Sequence, residues 1–157
     1  MTAILHTSKG DVTIEFNSAT PKTVENFVKL AKEGFYDGTK FHRVIKGFMS
    51  QGGDPLSKDD SKEGSWGTGG PGYKFADEIT TTNKNNLNTI SMANSGPNTN
   101  GSQFFINAAN NNFLDTKHTV FGKVVSGIDV ALAINNVATN PGDRPVEAVV
   151  IKSITLK

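Results

Sequence analysis

The fold of this chain is decided by the stretch Phe41-His42-Arg43-Val44-Ile45-Lys46-Gly47-Phe48-Met49-Ser50-Gln51-Gly52-Gly53-Asp54. The stretch predicts two short apolar strands that are joined by a Lys-Gly turn. Successive side chains of a strand face opposite sides of the sheet, so Phe41 is predicted to share a side with Arg43. In the second strand, the same rule places Met49 and Gln51 on one side of the sheet.

An arginine on a sheet, beside apolar and amide side chains, has two interpretations. Arg43 can belong to a surface that binds a neutral ligand with one acceptor atom and an apolar body. It can equally be an ordinary strand residue whose charged end reaches water along its stem. The stretch by itself favours the ordinary strand and leaves the binding surface open.

The N-terminal third predicts a hairpin followed by a helix. Strands over 3–7 and 12–16 alternate apolar and polar residues around a loop that contains Gly10. The helix is predicted to begin at Pro21, with Thr20 as its N-cap, and to end before Gly34. Its apolar stripe needs a surface to cover, and the neighbouring strands make a sheet the expected partner.

The rest of the chain predicts short strands, long polar loops and one more helix. The strands are expected over 89–93, 103–107, 119–125 and 149–156, the helix over 127–136, and the loops over 54–74 and 94–102. Two isolated helices among many short strands do not form the alternating pattern of a parallel sheet. A mainly β fold is therefore predicted, an antiparallel barrel with helices over its open ends.

The composition predicts one globular domain over residues 1–157. Net charge is +1, with 16 basic against 15 acidic residues, so we expect no nucleic-acid partner. No stretch approaches a membrane span, and the chain starts without a signal-peptide pattern. We therefore expect no membrane association and a cytoplasmic location. The chain is also expected to be a monomer. The absence of cysteine excludes disulfides and thiol nucleophiles.

The histidines suggest no metal site. His6, His42 and His118 do not form any of the spacings that bind metals, so no metal and no cofactor is expected. A hydrolase that uses His42 or His118 is a further hypothesis, but the chain has no Gly-x-Ser-x-Gly elbow.

Three carboxylates form a second candidate group. Asp54, Asp77 and Glu78 could include a pair for acid–base chemistry, but solvated loop charges are the favoured interpretation. Phe104 and Phe105 are adjacent on a strand, so one of them is predicted to face the core and the other a cleft.

The motifs of the chain resemble those of the cyclophilins, which are peptidyl-prolyl cis-trans isomerases. The similarity covers residues 21–27, 41–54, 91–106 and 113–124, in that order, and so nearly the whole chain. It implies a closed eight-stranded antiparallel β-barrel capped by two α-helices. It also implies that the chain accelerates rotation about X-Pro bonds of proteins and assists their folding.

The resemblance implies a role for individual residues. Arg43 would be the catalytic arginine. The proline pocket would be formed by Phe48, Met49, Phe105, Leu114 and His118, and Phe113 would be a further substrate-binding residue. The peptide backbone would be held by Gln51, Ala93, Asn94 and Gln103. A second pocket, for the residue two before proline, would be flanked by Gly67, Thr68, Ser95, Thr99 and Ser102.

One position departs from the family pattern. Many cyclophilins have tryptophan where this chain has Phe113, and that tryptophan helps to bind the macrocycle cyclosporin. Phenylalanine lacks the indole N–H donor, so cyclosporin binding is expected to be weakened. The expected partners are proline-containing peptides and protein clients. A non-catalytic proline-peptide-binding module or chaperone on the same barrel is the alternative.

Overall fold

The computed structural model describes all 157 residues of the chain. The strands are β1 Thr2–Thr7, β2 Gly10–Phe16, β3 Arg43–Ile45, β4 Met49–Gly52, β5 Thr89–Met92, β6 Phe104–Asn107, β7 Val120–Ser126 and β8 Ile151–Leu156. The helices are α1 Pro21–Lys32 and α2 Ile128–Asn135, and short 3₁₀ turns cover Pro55–Lys58, Asp60–Ser65 and Asn112–Leu114. Neither α-helix has the length and apolar character that a membrane crossing requires.

The eight strands form one curled antiparallel sheet in the order β3-β4-β6-β5-β7-β2-β1-β8. The two end strands do not pair with each other as strands. Instead, Phe41 N–H donates to the Val149 carbonyl at 3.0 Å, and Ile151 N–H donates to the Thr39 carbonyl at 2.8 Å. The predicted mainly β fold of eight antiparallel strands and two helices is confirmed, although "closed" slightly overstates how these ends meet.

Strand register sorts the side chains of β3, β4 and β6 between two faces. Gln51 lies opposite Arg43 on one side and opposite Phe105 on the other, so these three side chains share the outer face. The neighbouring Val44 is buried on the inner face. The prediction that Phe41 shares a side with Arg43 is wrong. Phe41 is buried in the core and precedes β3, so the strand alternation does not reach it.

The inner face surrounds a cluster of aromatic rings. Phe104 contacts Phe27, Tyr36 and Phe41 edge-on, with ring centroids 5.7 to 6.1 Å apart. Phe27 comes from the apolar stripe of α1, which thereby covers one end of the barrel as predicted. Such edge-to-face packing adds to the burial of apolar area and fixes the position of β6, whose outer face carries Phe105.

The first helix is capped by a distant carboxylate. Thr20 occupies the predicted N-cap position, but its side chain makes no capping hydrogen bond. Glu78 replaces it: its Oε1 accepts from Thr23 N at 2.6 Å and from Thr23 Oγ1 at 2.7 Å. Its Oε2 accepts from Lys22 N at 3.3 Å. A carboxylate here satisfies free amides and complements the helix dipole.

Glu78→Ala is expected to lower the free energy of unfolding by about 1–2 kcal/mol, because the amides of the first turn lose their acceptor. Glu78→Gln keeps one acceptor oxygen but no charge, so its free energy of unfolding should lie between those of the parent and of Glu78→Ala. Urea unfolding of the three proteins measures the difference. An alanine variant as stable as the parent would contradict the capping role.

Candidate active site

Arg43 stands on the outer face of the sheet, next to amide and aromatic side chains. It is exposed, and no hydrogen bond or ion pair within the chain holds its guanidinium. Its neighbour across the ladder is Gln51, which in turn lies opposite Phe105. The guanidinium donors are thus available to a ligand that lies over this face.

A chain of amide hydrogen bonds runs from Gln51 to the loop that follows β4. Gln51 Nε2 donates to Gln103 Oε1 at 3.0 Å. Gln103 Nε2 then donates to the carbonyls of Gly67 and Gly69, each at 2.9 Å. The Gln51 side chain is therefore held in one orientation beside Arg43, and the loop is tied to the same network.

Aromatic rings form the apolar part of this face. Phe105 meets His118 edge-on with ring centroids 5.3 Å apart, and Phe48 stacks on Phe113 at 5.9 Å. Met49 is buried, whereas Phe113 remains 68% exposed. As predicted for the adjacent phenylalanines, Phe104 packs in the core and Phe105 lies on the opposite face. Leu114, which follows Phe113, is half-buried.

His118 is oriented by a backbone carbonyl at one ring nitrogen. Its Nδ1 donates to the Met92 carbonyl at 2.8 Å, because a carbonyl oxygen can only accept. Asn94, next to Ala93, donates through Nδ2 to the Lys117 carbonyl at 2.8 Å. The half-buried Ala93 donates its own N–H to the Gln103 carbonyl at 3.0 Å.

Buried asparagines hold the segment that carries Phe113 and His118. Asn83 Nδ2 donates to the His118 carbonyl at 2.9 Å, and its Oδ1 accepts from Val120 N at 2.8 Å. Asn111 Nδ2 donates to the Phe48 carbonyl at 2.8 Å. Their sequence gives no sign of this role, because asparagine is also the common residue of solvated turns.

A second cleft of about 650 Å³ opens beside Gln51 and Gln103. All five residues predicted for a second pocket line it, as do Ala93, Asn94 and the glycine-rich run from Gly69 to Lys74. This run was missed by sequence reasoning, since a loop without periodicity gives no signal about the direction it faces. The structure thus brings the residues predicted to hold the peptide backbone together with those predicted for the second pocket.

Asp54 lies beneath the loop that lines this cleft. It was interpreted as a solvated loop charge, and that is wrong because its side chain is completely buried. The carboxylate accepts from Leu56 N at 2.8 Å, Gly67 N at 2.5 Å and Gly69 N at 3.2 Å. A Cβ at Gly69 would overlap this carboxylate, so glycine is required for the close approach.

The other two carboxylates are half-buried and hydrogen-bonded within the chain. Asp77 accepts from Asn100 Nδ2 at 2.8 Å and from Asn98 N at 3.1 Å, while Glu78 caps α1. Each is occupied by structural hydrogen bonds. An acid–base pair of these carboxylates is not what the structure forms.

The histidines do not form a hydrolytic site. Burial lowers the pKa of His42, and the nearby Arg144 and Arg43 lower it further, while Asp54 acts in the opposite direction. No serine hydroxyl is hydrogen-bonded to His42 or His118. The nucleophile–base contact that a serine hydrolase needs is therefore missing. No cluster of three or more acidic or histidine side chains is arranged to hold a metal ion.

Trp66 fastens the far end of the same loop. Its ring lies 4.9 Å from Lys40 Nζ and 4.8 Å from the Arg144 guanidinium carbon, while its indole N–H donates to the Asp59 carbonyl at 3.1 Å. Cation–π contacts of this kind hold an otherwise irregular loop against the barrel.

Comparisons with known proteins agree with one another. The family model described as "Cyclophilin type peptidyl-prolyl cis-trans isomerase/CLD" matches residues 2–156. Peptidyl-prolyl cis-trans isomerase CYP18-1 of Arabidopsis thaliana is 48% identical over 158 aligned residues, which cover 99% of this chain and 96% of that protein. Peptidylprolyl isomerase domain and WD repeat-containing protein 1 of Homo sapiens is 49% identical over 99% of this chain, but this chain spans only 24% of its length.

A solved structure shows the same fold. A cyclophilin type peptidyl-prolyl cis-trans isomerase of Cryptosporidium parvum, crystallised in the presence of the dipeptide Ala-Pro, superposes with a TM-score of 0.92. It is 34% identical in sequence, and the match covers 100% of this chain and 99% of that chain.

Proposed function

The chain belongs to the cyclophilin-type peptidyl-prolyl cis-trans isomerases, and from this premise we propose that Arg43 is its catalytic residue. The reaction rotates an X-Pro bond in a peptide lying across the outer face of β3, β4 and β6. The observation that carries the proposal is the unpaired Arg43 guanidinium beside Gln51 and the apolar Phe105.

The proposed mechanism makes and breaks no covalent bond. The C–N bond of a peptide has partial double-bond character, and its rotation meets a barrier of about 18–20 kcal/mol. When the bond twists, the proline nitrogen regains its lone pair and becomes an acceptor. An N–H of Arg43 that donates to this nitrogen stabilises the twisted state more than the planar one, so it lowers the barrier.

One hydrogen bond does not supply the whole acceleration. An acceleration of about 10⁵-fold requires about 7 kcal/mol, whereas a hydrogen bond to a charged group contributes about 1.5–3 kcal/mol. We assign the remainder to two effects. The pocket of Phe48, Met49, Phe105, Phe113, Leu114 and His118 removes water from the amide and holds the proline ring. Gln51, Ala93, Asn94 and Gln103 hold the backbone on the other side of the rotating bond.

We propose that the clients are proline-containing segments of other proteins, whose folding this protein would assist. The Cryptosporidium parvum relative was crystallised in the presence of Ala-Pro, and this supports a ligand of the same chemistry here. A non-catalytic module on the same barrel would bind such segments without accelerating isomerisation. Two-dimensional NMR exchange on an acetylated Ala-Ala-Pro-Phe peptide separates the two. Exchange cross-peaks that grow with enzyme concentration support catalysis, and binding without exchange contradicts it.

Phe113→Trp is expected to tighten cyclosporin binding about fivefold to tenfold, because the indole adds one N–H donor. Phe113 is 68% exposed and stacks only on Phe48, so the larger ring has space. Titration of cyclosporin into the peptide assay gives the affinity of both proteins. Phe113→Tyr is the matched control, since it keeps the six-membered ring and adds its hydroxyl donor at the para position, away from where the indole N–H would lie. Equal affinities for all three proteins would refute the donor argument.

A further inference from the structure

The second cleft carries an unbalanced positive charge. Sixteen residues line it, and Lys74 is the single charged one among them. Lys74 is exposed, and no acidic side chain or hydrogen-bond acceptor of the chain pairs with its ammonium group. An unpaired ammonium in a concave site raises the local concentration of anions.

A second ammonium lies at the rim. Tyr73, which lines the cleft, donates its hydroxyl to Asn26 Oδ1 on α1. Lys29 Nζ lies 5.3 Å from the centroid of the Tyr73 ring and has no acidic partner. Tyr73 is thus held as a wall of the cleft by α1, which also brings a second positive charge close to it.

The carboxylates near the cleft are already engaged. Asp54 is buried and accepts three backbone amides, while Asp77 accepts from Asn98 N and Asn100 Nδ2. Neither lines the cleft. The amides of Gly70 and Gly72 have no acceptor within the chain, and the space where their side chains would stand is open. The lining of the cleft therefore carries positive charge and two N–H groups without a partner in the chain.

We propose that this cleft selects clients with an anionic side chain, a carboxylate or a phosphate, two residues before the proline. The inference rests on the proposed function, in which Gln51, Ala93, Asn94 and Gln103 hold the backbone next to the cleft. Lys74 is the specificity-determining residue. Charge complementarity of this kind acts mainly on association, so it enters kcat/KM and weakens with salt.

The test compares acetylated X-Ala-Pro-Phe peptides in which X is Glu, phosphoserine, Gln, Ala or Lys. NMR exchange at low and high salt gives kcat/KM for each peptide. At low salt the Glu peptide is expected to exceed the Lys peptide about fivefold to tenfold, with Gln between them. A phosphoserine peptide above Glu identifies phosphate as the preferred anion, whereas the reverse identifies the carboxylate. The ratios are expected to approach one at about 1 M salt, where the screening length is only about 3 Å.

Charge variants show whether Lys74 causes the preference for an anionic peptide. Lys74→Glu should reverse the preference, and Lys74→Met should remove most of it. Lys152→Met is the matched control, since Lys152 is an exposed and unpaired lysine on β8, and its loss removes the same charge from outside the cleft. The Glu-to-Lys ratio of this control should match the parent.

The possible outcomes distinguish a failure of the proposed function from a failure of the anion preference. If no peptide is isomerised, the proposed function fails. If Ala-Ala-Pro-Phe is isomerised and the Glu and Lys peptides are turned over equally, the anion preference alone is overturned. An unchanged ratio in Lys74→Glu also overturns it, because the selectivity would then arise elsewhere.

Discussion

Arg43→Ala is expected to reduce kcat/KM for a proline peptide by at least about 100-fold, which corresponds to about 2.7 kcal/mol of lost transition-state stabilisation. The donor to the proline nitrogen disappears, while the pocket and the backbone-holding amides remain. Stability should change by less than about 0.5 kcal/mol, because the exposed guanidinium has no partner within the chain. NMR exchange measures the rate, and urea unfolding measures the stability.

Two further variants sharpen this test. Arg43→Lys keeps the charge but replaces a planar fork of donors with a compact ammonium, so it should recover only part of the activity. Lys46→Ala is the matched control, because Lys46 is an exposed cation in the turn directly after β3. A folded Arg43→Ala protein with parental turnover would remove Arg43 from the mechanism.

Asp54→Ala is expected to lower the free energy of unfolding by about 3 kcal/mol. The carboxylate is completely buried and accepts from the amides of Leu56, Gly67 and Gly69. Each amide that loses its acceptor in a buried site costs about 1–3 kcal/mol, and relaxation of the loop toward water recovers part of the total. Trp66, which precedes Gly67, is the sole tryptophan, so its fluorescence reports on this loop during urea unfolding.

The same substitution should disturb the second cleft. Gln103 is bonded to the carbonyls of Gly67 and Gly69, so a loosened loop frees Gln103 and, through it, Gln51. We expect KM to rise more than kcat falls, since the loop is bonded to Gln103, which we propose holds the peptide backbone, and not to Arg43. Asp60→Ala is the matched control, because Asp60 pairs with Lys40 at 3.1 Å but is 84% exposed, and such pairs contribute little. Equal stability of the Asp54 and Asp60 variants would show that the buried carboxylate is not what anchors the loop.

Most elements of the fold were predictable because their patterns are local. The stripe of α1 and the alternation in β2 follow directly from helix and strand geometry, and both elements lie within a few residues of the predicted bounds. The exception is Phe41, which was placed on the Arg43 side. The strand β3 begins only at Arg43, so Phe41 lies outside its alternation, and the sequence pattern does not report where strand pairing starts.

The capping of α1 is a second feature that the local sequence pattern does not predict. Thr20 has the residue type of an N-cap, and the sequence predicted it in that role. The structure uses Glu78 instead, from 55 residues beyond Thr23, because the loop after the long glycine-rich segment returns to the start of the helix. A side chain that acts across such a distance leaves no local signal.

By itself the amino-acid sequence determined the mainly β architecture, the two helices and the motifs that identify the family. The period of a strand, the period of a helix and the residues of a motif all depend on short segments of the chain. Only the tertiary structure decided that Asp54 is a buried anchor, that the run from Gly69 to Lys74 faces the cleft beside Gln51, and that no carboxylate balances Lys74 there. The physical reason is that burial, hydrogen-bond partners and net local charge depend on which distant segments meet, and that is settled by the folded packing of the whole barrel.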